Sequence, residues 1–237
     1  MNAQILTLQE FKKRLDDDLV PFIFDLRNSD EFKNWRIEGR SEIEMLNIPQ
    51  EDFVGEEKRH LANIPKGKSI VTFCAHGDAA QYAAEFLRKH GFDAVALEGG
   101  MDRWSEYYEH KLVSSKPDVY QIYRVAKGCI SYLALSGEYA VVFDAPRHVR
   151  AVLDIADKLN KKIVHVLDTH LHADHISGGR EIARRTGATY HIHPFDVGSF
   201  FCIRASCRQE PDFLRLERHR DCSLAGAYSG KYVISVG

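Results

Sequence analysis

The chain has 237 residues, 44% of them hydrophobic and 28% charged, with a formal net charge of −2 at pH 7. That length allows one large domain or two ordinary ones, and the composition is that of a soluble globular protein. So nearly neutral a charge gives no electrostatic reason to expect nucleic acid or an anionic membrane as partner.

The N-terminal stretch MNAQILTLQEFKKRL has no long apolar run, so it reads as neither a secretory signal nor an anchor. No later stretch approaches the length of a transmembrane span. Thr7 and Glu10 instead fit a capping box that opens a helix, with Leu6 and Phe11 placed as its hydrophobic staple. PFIFDLR (21–27), SIVTFC (69–74) and DAVALEG (93–99) are predicted buried strands. SDEFKNW (29–35) and AAQYAAEFLRKHG (79–91) are predicted helices, the second closed by Gly91. Strands alternating with helices imply a parallel sheet covered on both faces. EHKLVSSKPDVY (109–120) loses this pattern and carries Ser, Lys and Pro, which makes it the expected linker.

YQIYRV (120–125), CISYLALS (129–136) and YAVVFDA (139–145) are the next predicted strands. Lys127-Gly128 separates the first pair and Gly137-Glu138 the second, which predicts antiparallel hairpins. A helix over about 148–160, a strand KIVHVLDT (162–169), a histidine cluster, a helix over about 178–186 and a strand ATYHIHP (188–194) follow. Beyond Phe201 the periodicity is poor, and only KYVISVG reads as a strand. The five cysteines, at 74, 129, 202, 207 and 222, are scattered and odd in number. That argues against a disulfide framework and for a reducing cytoplasm.

Cys74 closes an apolar strand and is followed by AHGDAAQYAAEF, a tight Gly-containing loop running into a helix. Backbone N–H groups and a helix N-terminus aimed at a sulfur favour a nucleophilic thiolate. The plainer alternative is a buried cysteine packing as a small hydrophobe. FIFDLRNSDEFKNWRIEG (22–39), NIP (47–49), VTFCAHGDAA (71–80) and LEGGMDRW (97–104) stand in an order that resembles the successive motifs of a rhodanese domain. The resemblance covers roughly residues 5–110. It implies that Cys74 takes a sulfane sulfur from a donor, carries it as a persulfide and passes it to an acceptor thiol or anion. The backbone of Ala75, His76, Gly77, Asp78, Ala79 and Ala80 would cradle the anionic sulfur. Two positions depart from the family. Ala80 stands where many active rhodaneses carry an arginine or a hydroxyl, and Arg36 stands where a histidine is usual. His76 either tunes the thiolate or faces solvent, and Asp25, Arg27 and Glu31 read as a structural polar network.

DTHLHADHISGG places His170, His172, Asp174 and His175 after a strand and before a helix that Gly178-Gly179 allows to start close by. Imidazole suits iron and zinc, and a carboxylate adds a hard oxygen ligand. Alternation aims His170 and His172 the same way, and the turn brings Asp174 and His175 round to face them. These residues resemble the H-x-H-x-D-H motif of the metallo-β-lactamase fold. Residues 128–190 resemble its persulfide dioxygenase branch, through HADHISGG and REIARRTGA. That branch oxidises glutathione persulfide to glutathione and sulfite at one Fe(II). The resemblance makes His170 a direct iron ligand, with His172, Asp174 and His175 around the metal orienting water or substrate. The family's THTPGHT-like segment and its later carboxylate do not appear, and the resemblance stops after HIHPFDVGSFF. His191 and His193 read as structural, and Cys202, Cys207, His219 and Cys222 match no common closed zinc spacing.

The expected fold is therefore a rhodanese-like α/β parallel sheet with helices on both faces (5–110), a linker (111–118) and the first half of an αββα metallo-β-lactamase fold (119–201). A tail without family resemblance (202–237) follows, as if a frameshift, truncation or gene-model error had cut the second domain short. The expected function is sulfane-sulfur transfer among thiosulfate, sulfite and glutathione persulfide, fused to a metal domain that such truncation would disable. The alternatives are a glyoxalase-II-like thioester hydrolase with zinc and a non-catalytic persulfide-binding module.

Overall fold

A computed structural model describes residues 4–172 and 176–192, together with the backbone of 214–217 and 233–236. Asp174, His175, His193, Cys202, Cys207, His219 and Cys222 lie outside these residues. The chain divides into two compact units, 1–108 with 124–128 and 109–123 with 129–237.

The first unit is built on β1 (Ile5–Leu6), β2 (Phe22–Asp25), β3 (Met45–Asn47), β4 (Ser69–Phe73) and β5 (Asp93–Leu97). They lie in the order β1-β5-β4-β2-β3, all parallel. Its helices are α1 (Leu8–Asp16), α2 (Ser29–Asn34), α3 (Gln50–Phe53), α4 (Glu57–His60), α5 (Asp78–Lys89) and α6 (Gly100–Ser105). Period-two alternation splits each strand between two cores. Phe22, Phe24, Ile70, Ala94 and Ala96 face Ala83, Ala84 and Leu87 of α5. Ile23, Val71, Phe73, Val95 and Leu97 belong to a second core with Phe11 of α1 and Trp104 of α6. Each fully buried Phe or Ile contributes about 1.5–3 kcal/mol. Helices therefore cover both faces, as the alternating pattern predicts.

Local signals act as expected at both ends of helices. The Thr7 side chain accepts the Glu10 N–H while Glu10 accepts the Thr7 N–H, completing the capping box. Leu6 and Phe11 are both buried in the same core. At the end of α5, Gly91 is left-handed (φ +84°), the Gly91 N–H bonds Arg88 O and the Phe92 N–H bonds Leu87 O. That is a Schellman termination, sealed by the burial of Phe92 and Leu87. The strands β1 and β3, two and three residues long, carry too little periodicity to be predicted.

The second unit carries β6 (Tyr108–Ser115), β7 (Asp118–Arg124), β8 (Ile130–Ser136), β9 (Tyr139–Phe143), β10 (Lys162–Asp168) and β11 (Thr189–Ile192). The order is β11-β10-β9-β8-β7-β6. Strands β7–β8 and β8–β9 pair antiparallel, as the two glycine turns predict. Strands β9–β10 and β10–β11 pair parallel, joined across α7 (Arg150–Lys158) and α8 (Gly179–Thr186). A parallel sheet with helices, followed by a mixed sheet with two crossover helices, is the expected fold class. Residues 111–118, expected as a linker, are instead strand and turn. Lys116 and Pro117 make the turn between β6 and β7, and the mostly exposed β6 is the sheet's edge. Serine, lysine and proline there punctuate a hairpin-length turn and blunt an edge strand rather than join domains. Farther on, the predicted terminal strand is β13 (Val233–Val236). It pairs antiparallel with β12 (Leu214–Glu217), which the sequence did not suggest. Among the described residues no helix is long and apolar enough to cross a membrane.

Candidate active site and metal centre

In the first unit β2 connects outward to β3 while β4, its neighbour, connects to β5 on the other side. The carboxyl ends of β2 and β4 thus flank a switch point, where open α/β sheets leave a crevice. Cys74 emerges there, immediately after β4, and its side chain is buried at 7% exposure. The Gly77 N–H donates to Cys74 Sγ at 3.0 Å. Gly77 is left-handed (φ +111°), which turns its N–H back toward the sulfur before α5 begins. No side chain caps α5, so its first-turn N–H groups keep their donor capacity at the same mouth.

The loop is held from behind by the start of α6. The Met101 N–H donates to Cys74 O at 2.9 Å and the Asp102 N–H to Ala75 O at 3.0 Å. A Cβ on Gly100 would lie 2.3 Å from Cys74 O, and Gly100 is left-handed (φ +60°), so this contact requires glycine. His76 turns outward, with its Nδ1 2.7 Å from Asp102 Oδ2 and its side chain 79% exposed, so of the two readings it takes the solvent-facing one. Ala80 packs fully into the core and its carbonyl accepts the Thr72 hydroxyl at 2.8 Å. Its side chain offers nothing polar to a donor. Among the predicted cradle residues Ala75 and Ala79 are half-buried and Asp78 is exposed.

At the carboxyl end of β2, the neighbour of β4, lies a buried polar network. Arg27 donates to both carboxylate oxygens of Asp25, at 2.7–3.1 Å, and to Trp35 O at 2.9 Å. Its contact with Glu31 is to the backbone carbonyl, at 3.4 Å. Asn47 ties in through Asp25 O and Arg27 O. Burial pushes the Asp25 carboxyl up from its ordinary value, and the Arg27 guanidinium opposes the rise. This network joins β2 to β3 and the chain beyond α2, with Asp25 and Arg27 in it as side chains and Glu31 only through its backbone.

In the second unit the parallel pair β9–β10 ends in polar residues at one edge. Asp144 follows β9, and Thr169, His170 and His172 follow β10. The Thr169 N–H and hydroxyl donate to Asp144 Oδ1 at 2.7 and 2.9 Å. His172 Nε2 lies 3.1 Å from the same oxygen, and Thr169 Oγ1 lies 2.8 Å from His170 Nδ1. One ligand atom each from Asp144, His170 and His172 falls within 4.8 Å of the others. Two imidazoles and a carboxylate are a donor set that fits a divalent transition metal. His170 is exposed and His172 half-buried. Asp174 and His175 fall in the undescribed 173–175, so their place in the set rests on the motif alone. A Cβ on Gly178 would lie 2.2 Å from Pro146 O, and one on Gly179 2.5 Å from Tyr190 Cε2, so α8 starts in close contact as expected. Asp168 accepts the Tyr190 hydroxyl at 2.6 Å, and burial and that carboxylate push the Tyr190 phenol upward.

Asp144 was missed in the sequence. In the sequence it shows only as an acidic residue closing the apolar run YAVVF; the parallel pairing of β9 with β10 that brings it to the histidines appears in the structure.

A model of the rhodanese-like domain matches residues 7–107, and one of the metallo-beta-lactamase superfamily matches residues 125–212. Thiosulfate sulfurtransferase GlpE of Shewanella oneidensis is 32% identical over 85 residues, 35% of this chain and 75% of that protein. Putative sulfurtransferase YtwF of Bacillus subtilis is 24% identical, over 44% of this chain and 92% of that protein. Among solved structures, a rhodanese-like domain protein from Staphylococcus aureus is 27% identical with a TM-score of 0.36, covering 43% of this chain and 90% of that one. ETHE1 from Myxococcus xanthus is 28% identical with a TM-score of 0.25, over 35% of this chain, and the match spans only 34% of that protein.

Proposed function

Because the chain belongs to the rhodanese-like family through residues 7–107 and continues into a metallo-beta-lactamase superfamily region at 125–212, we propose that it moves sulfane sulfur through a persulfide on Cys74. The observation that carries this reading is the Gly77 N–H aimed at Cys74 Sγ at 3.0 Å, at the uncapped start of α5. The Cys74 thiolate attacks the outer sulfur of thiosulfate. An S–S bond to Cys74 forms as the donor's S–S bond breaks, and sulfite leaves with that bond's electron pair. An acceptor thiolate then attacks the outer sulfur of the persulfide, and Cys74 leaves as a thiolate. In both steps the negative charge on Cys74 Sγ, as attacking and then as leaving thiolate, meets the Gly77 N–H, and between the steps the anionic outer sulfur of the persulfide would meet the N–H groups of Asp78, Ala79 and Ala80. With Ala80 buried and His76 turned to Asp102, donor choice rests on that backbone rather than on a cationic side chain.

The second domain, in this proposal, holds a metal through His170 and His172, with Asp174 and His175 completing its surroundings, and oxidises glutathione persulfide. Bound there, Fe(II) would supply open positions for thiolate and dioxygen chemistry. Thr169 orients the His170 ring through Nδ1, and Asp144 sits against His172. A cytoplasmic location belongs to the same reading, since a reducing compartment keeps Cys74 and Cys129, the described free cysteines, as thiols.

The test is sulfur transfer from thiosulfate or glutathione persulfide to a thiol, comparing the native chain with Cys74→Ser. Transfer is expected to fall to background in the variant, and equal rates overturn the assignment. Metal analysis separates the readings of the second domain: iron near one equivalent favours the dioxygenase, whereas two zincs favour a thioester hydrolase. Absent metal, with sulfur loading on Cys74 and no turnover, supports a binding module.

A further inference from the structure

We propose that the first unit carries a second binding site, separate from the Cys74 loop, for a small aromatic monocarboxylate. The site is a cavity of about 220 Å³ among α1, α6, the chain after α2 and residues 125–126, all within the first unit. None of residues 74–80 lines it.

Size and walls set the body of the ligand. Leu15 of α1 and Trp104 of α6 are the buried part of the lining, and half-buried Trp35, Val125 and Ala126 continue it. An apolar cavity of about 150 Å³ accepts benzene, so this one has room for a ring and a small head group. The walls are in place before any ligand arrives. Trp104 meets Phe11 edge-to-face at 5.2 Å and stacks on Tyr107 at 6.0 Å. Trp35 is pinned by its backbone, with its N–H on Glu31 O and its carbonyl accepting from Arg27 at 2.9 Å. The Val125 N–H bonds Tyr107 O at 3.0 Å. Binding therefore has little ordering left to impose.

The charges in the lining set the head group. Lys12 pairs with Asp16 on α1, and the two cancel. Exposed Arg36, Glu38 and Arg40 remain, two cations against one anion. Arg36 lies over the Phe32 ring at 5.4 Å, and neither arginine has a carboxylate partner among the described residues. Lys127, 3.4 Å from the centre of the Trp35 ring, adds positive charge nearby. A guanidinium fork matches a carboxylate, and Glu38 repels a second negative charge, so one carboxylate fits better than two. Arg36 is also one of the positions that depart from the rhodanese pattern, a permanent cation where a histidine would titrate. The competing account is a water-filled crevice rimmed by solvated arginines.

The test uses intrinsic fluorescence, because both of the chain's tryptophans line this cavity. The full chain is titrated with benzoate, benzamide and acetate at matched ionic strength, with and without excess thiosulfate. An Arg36→Gln, Arg40→Gln double variant, changed only at exposed positions, is titrated alongside, its fold checked by circular dichroism. Benzoate changes the emission saturably, with a Kd on the order of 1 mM. Benzamide, of the same shape without the charge, binds about 3- to 10-fold more weakly, and the double variant loses benzoate affinity by a similar factor. Acetate, which lacks the ring, leaves the emission unchanged over the same range, and thiosulfate leaves benzoate affinity unchanged. No saturable change with benzoate overturns the inference. So does benzamide or acetate binding as tightly as benzoate, or a double variant of native affinity. Displacement of benzoate by thiosulfate would put it in the Cys74 crevice and overturn the separate site. Sulfur transfer through Cys74 stands or falls apart from all of these outcomes.

Discussion

Cys74 and Thr169 each follow the carboxyl end of a parallel strand, and each loop runs on toward a helix, α5 in one unit and α8 in the other. The two loops use that shared position differently. Around Cys74 the working groups are backbone: the Gly77 N–H on the sulfur, the first turn of α5, and two α6 amides on the loop carbonyls. Around Thr169 they are side chains, and they come from two strands, with Asp144 delivered by β9 and the histidines by the chain after β10. A backbone site depends on conformation and tolerates plain side chains such as Ala75, Ala79 and Ala80. A side-chain site depends on residue identity and on strand register, because slipping one strand separates its donors.

The largest test of this contrast strikes the frame behind the cysteine. Arg27→Met leaves the Asp25 carboxylate buried beside a thioether, and losing one partner of a buried pair costs about 3–5 kcal/mol. Urea unfolding at neutral pH measures it. Burial already raises the Asp25 carboxyl, and without the guanidinium it rises further. A folded value above the ordinary 3.8 gives a contribution that is full below that value and lost as pH rises through the folded one. The variant therefore lies closest to the native protein in acid and farthest from it at neutral pH. A deficit that grows on acidification breaks this account of the network.

A paired substitution comes next. Gly100→Ala sets a Cβ against Cys74 O at 2.3 Å and imposes a left-handed alanine. Overpacking and the backbone term together cost about 2–5 kcal/mol. Displacing the loop carbonyl by an ångström lowers sulfur transfer by about 100-fold. Gly178→Ala sets its Cβ 2.2 Å from Pro146 O, but at φ −86° it carries no left-handed strain. Overpacking alone then costs about 1–3 kcal/mol. Denaturant midpoints check the order. Co(II) affinity should fall in Gly178→Ala and sulfur transfer in Gly100→Ala. Equal loss of transfer in both variants breaks the contrast.

How much of this the sequence carried follows from the same contrast. Thr7 and Glu10, Gly91 after α5, and Gly77 beside Cys74 act over one to five residues, and a short window displays them. So does the alternation that sends Phe22 and Phe24 to one core and Ile23 to the other. Asp144 and Thr169 stand 25 positions apart and meet only because β9 and β10 pair in parallel, which no local pattern announces. Residues 111–118 failed for the opposite reason: proline and serine mark a turn as readily as a linker, and only the sheet edge beside them decides.

The smallest effect repeats the first on the surface of the other unit. Glu181 of α8 accepts from Arg184 and Arg185, whose hydrogen bonds hold its carboxyl down at about 2. Its folded value lies below the ordinary 4.5, so its contribution is present above 4.5 and fades as pH falls toward 2. Glu181→Gln should flatten stability across that acid range, and a carboxyl titration by NMR should find the native midpoint near 2. Both arginines are largely exposed, so salt screens these pairs and the difference between variant and native protein closes at high ionic strength. The Arg27→Met deficit persists in the same salt, because water and counterions do not reach Asp25. A titration near 4.5, or an Arg27→Met effect that salt removes, would mean that exposure does not separate the two clusters.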